Sequence, residues 1–344
     1  MFVRICPDVL TAGQDQEAVC RIVRIAMESE LSCSVDPDRR IRSVMLSHLS
    51  HPAVVAAAHA LQRAGRSGKI TKEQRRVFSD QLRHAAACAS HSAQQTSSAD
   101  GLWGSVDLAM PQPHLQDSVT RALAVIPARS GDDRPLAGSA VTFWRDADRA
   151  VFRETVDLLN AAWPQLLAEL QVMVHQVVLL AGNAIDGFTD FTVHGAVMIN
   201  QARLATGSTG LPGPVRLAEA LVHEGAHTRC NAAQLVRPFL RPAGGDGELV
   251  MTPLRADPRP LAGLFQQLVV LVRSALLYRR LPVGTGAAAH RARQDKLIGQ
   301  ARQGAETLDR HRDVLTDHGQ EVLAEATAVL ESELGAGARQ VSSR

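Results

Sequence analysis

The chain has 344 residues, of which 45% are hydrophobic and 21% charged, and a formal net charge of +2. That length and apolar content support one large core or two modest ones and exclude disorder of the chain as a whole. The near-neutral balance, with only Lys69, Lys72 and Lys296 as lysines, gives no general electrostatic pull toward nucleic acid, so no nucleic-acid partner is expected.

Aromatic residues make up 3% of the chain, with Tyr278 the single tyrosine, so the interior must be aliphatic and alanine-rich, which favours helix over sheet. The five cysteines (Cys6, Cys20, Cys33, Cys88, Cys230) are odd in number and lack a C-x-x-C pair, arguing against a disulfide framework and for a reducing compartment. Met1 to Ile5 is too short and too soon followed by Asp8, Asp15 and Glu17 to be a signal peptide. The apolar run Leu261 to Tyr278 is interrupted by Gln266, Gln267 and Arg273. A cytoplasmic protein with no membrane partner is the expectation.

In chain order, residues 1 to 90 read as helical. Gln14 to Ser29 is amphipathic and Val54 to Ala64 is an alanine-rich buried helix. Thr71-Lys72-Glu73-Gln74 has the form of a capping box, opening a helix that runs to about Cys88. The histidines here, among them His48, His51, His59, His84 and His91, have no carboxylate or cysteine companions at ligand spacing and are expected to be structural. The polar stretch Ser90 to Gly101 is the predicted boundary between an N-terminal helical region, 1–98, and a metal-site domain, 99–344.

Beyond it, Asp117 to Ile126 reads as a helix and Ala128 to Pro135 as a loop, either lid or linker. Ala147 to Leu170 reads as one helix. The β-branched run Val172 to Leu180 and the segment Gly195 to Asn200 read as strands of a small sheet beside the next helix. A sheet edge there could add an extended peptide as an extra strand. Pro214 to Leu235 is a helix, Pro238 to Pro253 a loop with a glycine-rich tip, and Ala287 to Gln303 and Gly319 to Leu334 are amphipathic packing helices. Gly335 to Arg344 is expected to fray. The fold class is therefore mainly α with a small β-sheet, the motif helix lying between other helices.

That helix carries Leu221-Val222-His223-Glu224-Gly225-Ala226-His227, an H-E-x-x-H sequence. Residues four apart lie one turn above each other, so His223 and His227 can present two imidazoles to one metal ion. Glu224 projects roughly 100° around the helix, within reach of a metal-bound water but poorly placed to ligate beside both histidines.

Some 25 residues on stands Pro253-Leu254-Arg255-Ala256-Asp257-Pro258-Arg259-Pro260-Leu261-Ala262-Gly263-Leu264. Together, L-V-H-E-x-x-H and P-x-R-x-D-P-R-P-L-x-G-L resemble the HExxH-motif family of bacterial clusters that modify ribosomally made peptides. The resemblance is densest over Gly195 to Arg280, with an echo at Val314 to Leu323. It implies an Fe(II)- and 2-oxoglutarate-dependent dioxygenase that hydroxylates a side-chain β carbon of a precursor peptide.

Such an enzyme needs two or three protein ligands and open positions for co-substrate and oxygen. His223 and His227 supply two. For a third, Asp257 offers a carboxylate, although Asp257-Pro258 also reads as a helix N-cap followed by proline at the first helical position. Gln266 offers a neutral amide oxygen, and His194 is a further option. Arg255 and Arg259 could hold the distal carboxylate of 2-oxoglutarate through a bidentate, permanently charged guanidinium, or pair with surface carboxylates.

Two other classes compete. A zinc metallopeptidase would use Glu224 as the general base for zinc-bound water, whereas in an oxygenase Glu224 would orient ligands from beside the site. A non-catalytic helical peptide-binding protein, its metal site decayed, is the other.

Overall fold

The computed structural model describes residues 4–33, 39–66, 71–97, 106–126, 138–242, 249–253, 255–282 and 286–334. Its helices are α1 (Val9–Cys33), α2 (Arg39–Ser47), α3 (Pro52–Arg66), α4 (Lys72–Ser97), α5 (Pro113–Ala124), α6 (Asp146–Ala162), α7 (Pro164–Met173), α8 (Gly213–Val236), α9 (Leu261–Arg280), α10 (Ala287–Arg310) and α11 (Asp317–Ser332). The strands are β1 (Asp107–Ala109), β2 (Ser139–Thr142), β3 (Gln176–Gly182), β4 (Gly187–Thr189), β5 (Ala196–Asn200), β6 (Leu249–Thr252) and β7 (Arg255–Pro260).

The architecture is mainly α with a small sheet, as the composition implied. The described residues form two compact units, each discontinuous in sequence. The first comprises Met1–Asp15, Ala150–Leu170 and Arg203–Arg344, and the second Gln16–Arg149 and Gln171–Ala202. Neither coincides with the expected division into 1–98 and 99–344.

In the second unit the Thr71 capping box is present in both directions. Gln74 N donates to Thr71 Oγ1 at 3.2 Å and Thr71 N donates to Gln74 Oε1 at 2.8 Å, satisfying two backbone donors at the start of α4. That helix does not stop near Cys88 but runs through the polar Ser90 stretch to Ser97. Small polar residues lower helix propensity without breaking a helix, and no proline or glycine intervenes before residue 98.

The sheet is mixed. β3 pairs with β5 in parallel over Gln176 to Leu180, using one edge. Its other edge is shared end to end by β1, parallel over Gln176 to Val178, and β2, antiparallel over Leu179 to Gly182. β4 closes the far side antiparallel to β5. Val177 to Leu180 are all buried, which explains their continuous apolar run in place of the alternation of a half-exposed strand. Leu115 and Val119 of α5 pack with Val178, Leu180 and Met198 of the sheet. A cavity of about 350 Å³ lies between α3, α4 and α5, walled by Ala53, Ala57, Val77 and His84, and no residue of the H-E-x-x-H motif lines it.

In the first unit, the helix expected over Ala147 to Leu170 is two helices parted at Trp163. Pro164 has no N–H to continue the ladder and disfavours helical backbone at the residue before it, so the chain restarts there as α7. α9 is the centre of this unit and packs against α8, α10 and α11. By length and mean composition it is long and apolar enough to cross a membrane, yet Arg273 is buried in it, paired with Glu169 of α7. α8 is flanked by helices, with α9 on one face and Leu170 of α7 against Gly225 on another. A Cβ on Gly225 would collide with the Leu170 side chain, so the first variable position of the motif is glycine because α7 approaches there.

Beneath α8 runs a buried ionic network. Arg229 pairs with Asp15 and donates to Thr11 Oγ1 at 3.0 Å. Arg273 donates to Glu169 Oε1 at 2.5 Å and to the carbonyls of Ile5 and Arg4 at 3.1 and 2.7 Å. Glu169 also accepts from the backbone N of Asp8 at 2.9 Å. The N-terminal segment is thus held by charges that are themselves paired, which is what makes their burial tolerable.

Two expectations need correction in this unit. Pro238 to Pro253 is not all loop, since β6 occupies its end and pairs antiparallel with β7, Val250 opposite Arg259. Asp257 is not a helix N-cap either. It lies in β7, and α9 begins at Leu261 after Pro260, because Pro258 and Pro260 hold the backbone extended. The loop expected at 128–135, the glycine tip at 244–247 and the terminal stretch 335–344 lie outside the described residues. Cys6, Cys20, Cys88 and Cys230 carry no disulfide.

Candidate metal centre

α8 opens with Pro212 at its N-cap and a proline in its first turn, which supplies a pre-set φ and costs no intrahelical hydrogen bond. From that start, a four-residue spacing lays Glu219, His223, His227 and Asn231 along one face, one turn apart. Partners from α9 and α10 hold three of the four.

Glu219 is almost fully buried, accepts from Tyr278 Oη at 2.6 Å and pairs with Arg293. Burial works against its charge, but the Arg293 guanidinium holds the carboxyl below its ordinary range. Burial and the Glu219 carboxylate together push the Tyr278 hydroxyl up, so it stays a donor. His227 Nδ1 faces Gln266 Oε1 at 2.9 Å, and Gln266 Nε2 donates to Asn231 Oδ1 at 3.0 Å.

The two histidine rings lie with centroids 5.2 Å apart and planes inclined at 61°. Both are half-buried. Burial, aided by the neighbouring His227, lowers His223 to about 3. Burial likewise lowers His227, partly offset by the Gln266 hydrogen bond. Both imidazoles are therefore neutral at physiological pH, the form in which a histidine donates a lone pair to a metal. Among the described residues His223 makes no hydrogen bond.

Glu224 differs in its surroundings. It is only 5% exposed, less than either histidine. Arg259 is half-buried on β7, the strand that leads directly into α9. Arg255 and Asp257 lie on the same strand, but their side chains fall outside the described residues. His194 belongs to the second unit. Its Nε2 meets Gln16 Oε1 at 3.0 Å and burial lowers it to about 3, a satisfied structural histidine.

The pair fits a divalent cation as two of its donors: adjacent, neutral rings, one of them already hydrogen-bonded through the nitrogen it does not need. No group of three histidine, cysteine, aspartate or glutamate side chains converges among the described residues. A third protein ligand is thus not in hand, and Gln266 stands as a partner of His227. The Val314–Leu323 echo packs against the segment following α8, where Thr316 Oγ1 donates to the Pro238 carbonyl at 2.7 Å and Phe239 stacks on Phe265 of α9 at 4.5 Å.

Sequence reasoning passed over Glu219, Asn231, Tyr278 and Arg293. The signal for the first two was available in the helical spacing on either side of the motif. The other two are identified only by packing. No protein-family model matches this chain, and no curated protein does either.

Proposed function

We propose that this protein is a metal-dependent oxygenase of the kind its paired motifs resemble, using Fe(II) and 2-oxoglutarate to hydroxylate a side-chain carbon of a ribosomally made peptide. The observation that carries the reading is the neutral His223–His227 pair on α8, with His227 anchored by an amide from α9. In the protein as loaded, His223 and His227 hold the metal, Asp257 is the remaining carboxylate of the motif, and Arg259 is the first choice for the distal carboxylate of the co-substrate. When bound, the iron supplies the oxygen chemistry needed to functionalise an unactivated carbon.

The chain's own contribution is placement. α8 holds both imidazoles on one face, one turn apart, and α9 orients one of them through Gln266. In the rival zinc peptidase Glu224 would be the general base for metal-bound water, a role the oxygenase does not need.

Anaerobic addition of Fe(II) and 2-oxoglutarate to the full-length protein tests it. An oxygenase gives a visible charge-transfer band and, on admitting oxygen, releases succinate even without peptide. Absence of both refutes the reading, and zinc-dependent cleavage of a peptide would establish the peptidase in its place.

A further inference from the structure

The His227 ring sits at the end of a chain of side-chain amides whose hydrogen bonds all run in one direction. Gln266 Oε1 lies 2.9 Å from His227 Nδ1, and Gln266 Nε2 donates to Asn231 Oδ1 at 3.0 Å. Asn231 Oδ1 accepts a second hydrogen bond from Gln234 Nε2 at 3.4 Å. An amide has one accepting end and one donating end. With two N–H donors converging on the Asn231 oxygen, the Gln266 carbonyl is the end left to face His227. A carbonyl opposite a ring nitrogen requires a proton on that nitrogen.

We propose that Gln266 is a positioning residue that locks His227 as its Nδ1–H tautomer, leaving the Nε2 lone pair for a divalent cation, and that Gln266 is not itself a metal donor. The purpose of the lock rests on the metal-centre reading, but its geometry does not. Three members of the chain come from one face of α8, and Gln266 alone crosses from α9 to span His227 and Asn231.

The competing state is discrete. Turning the Gln266 amide over would make Nδ1 an acceptor and move the ring proton to Nε2, where an incoming cation would have to displace it. It would also set the Gln266 oxygen against the Asn231 oxygen. Turning Asn231 as well would face its NH₂ against the Gln234 NH₂, so the opposite polarity requires all three amides to turn together.

The experiment is NMR of the histidine ring nitrogens in the isotope-labelled, metal-free full-length protein at neutral pH, on wild type and on Gln266→Leu and Gln266→Glu. The wild type should show His227 as a single tautomer protonated at Nδ1. Gln266→Leu should lose that preference, and Gln266→Glu, which keeps an acceptor, should retain it. A wild-type ring protonated at Nε2, or a tautomer unchanged in Gln266→Leu, overturns the proposal.

Titration with Co(II), followed by its visible absorption, adds a second reading. Gln266→Leu should weaken binding by about 10- to 100-fold with an unaltered band shape. A changed band would mean that the amide oxygen had been a donor, and would equally overturn the proposal. If wild type binds no Co(II), the metal-centre reading falls, while the tautomer measurement still decides the role of Gln266.

Discussion

His223 and His227 are neutral because they are packed, and close because they are four apart on one helix. Replacing either by alanine should abolish stoichiometric Fe(II) or Co(II) binding, measured by equilibrium dialysis, while leaving the helical circular dichroism spectrum intact. Glu224 separates the two enzymatic readings: Glu224→Gln should leave succinate release within a few-fold of wild type in an oxygenase, whereas a peptidase would lose essentially all turnover. Arg259→Ala should weaken 2-oxoglutarate binding by about 10- to 100-fold, the value of a lost charge-assisted pair, and lysine should rescue poorly because it lacks the planar fork. An unchanged charge-transfer titration in Arg259→Ala would remove that arginine from the site.

Helix α8 is where sequence and packing agree most closely. Its proline start, its apolar face and its motif were all readable, and so was the capping box of α4, because each depends on residues within one or two turns. The glycine inside the motif was not explained by the sequence, since its reason is a leucine more than fifty residues away on α7. Gly225→Val should therefore destabilise the protein by about 1–3 kcal/mol through overpacking, and Leu170→Ala in the same chain should recover part of that loss. Equal stability of Gly225→Val and wild type in urea unfolding would show that α7 yields freely. The charges beneath α8 predict a larger effect: Glu169→Leu leaves Arg273 buried with only backbone carbonyls for partners and should cost about 3–5 kcal/mol in the same measurement.

Across the molecule, acid stability depends on buried histidines, and several of them lie outside the candidate site. In the second unit His51, His114 and His194 are buried, and burial lowers them to about 3, about 4 and about 3. Unfolding restores each to its ordinary value near 6.5, so between that pH and about 3 the unfolded chain binds more protons than the folded one. Stability is fully present above pH 6.5 and falls as the solution is acidified through this window, with a ceiling of about 3 to 5 kcal/mol per histidine. Urea midpoints should drop between pH 7 and pH 5, and His194→Gln should flatten the dependence. A midpoint independent of pH over that interval would contradict the burial of these rings.

The sequence by itself determined the class of the fold, the helix that bears the motif and the two central strands of the sheet, β3 and β5, because composition, proline placement and hydrophobic runs act locally. It also paired the two imidazoles, since four-residue spacing on a helix leaves them nowhere else to be. Only the tertiary structure decided what surrounds that pair. It put Gln266 in contact with a ring nitrogen, joined Glu219 to Tyr278 and Arg293, drew Asp257 into a strand rather than a cap, and split a long helix at Pro164. Which side chain meets which across two helices depends on how the helices are packed, and no local rule of spacing carries that information.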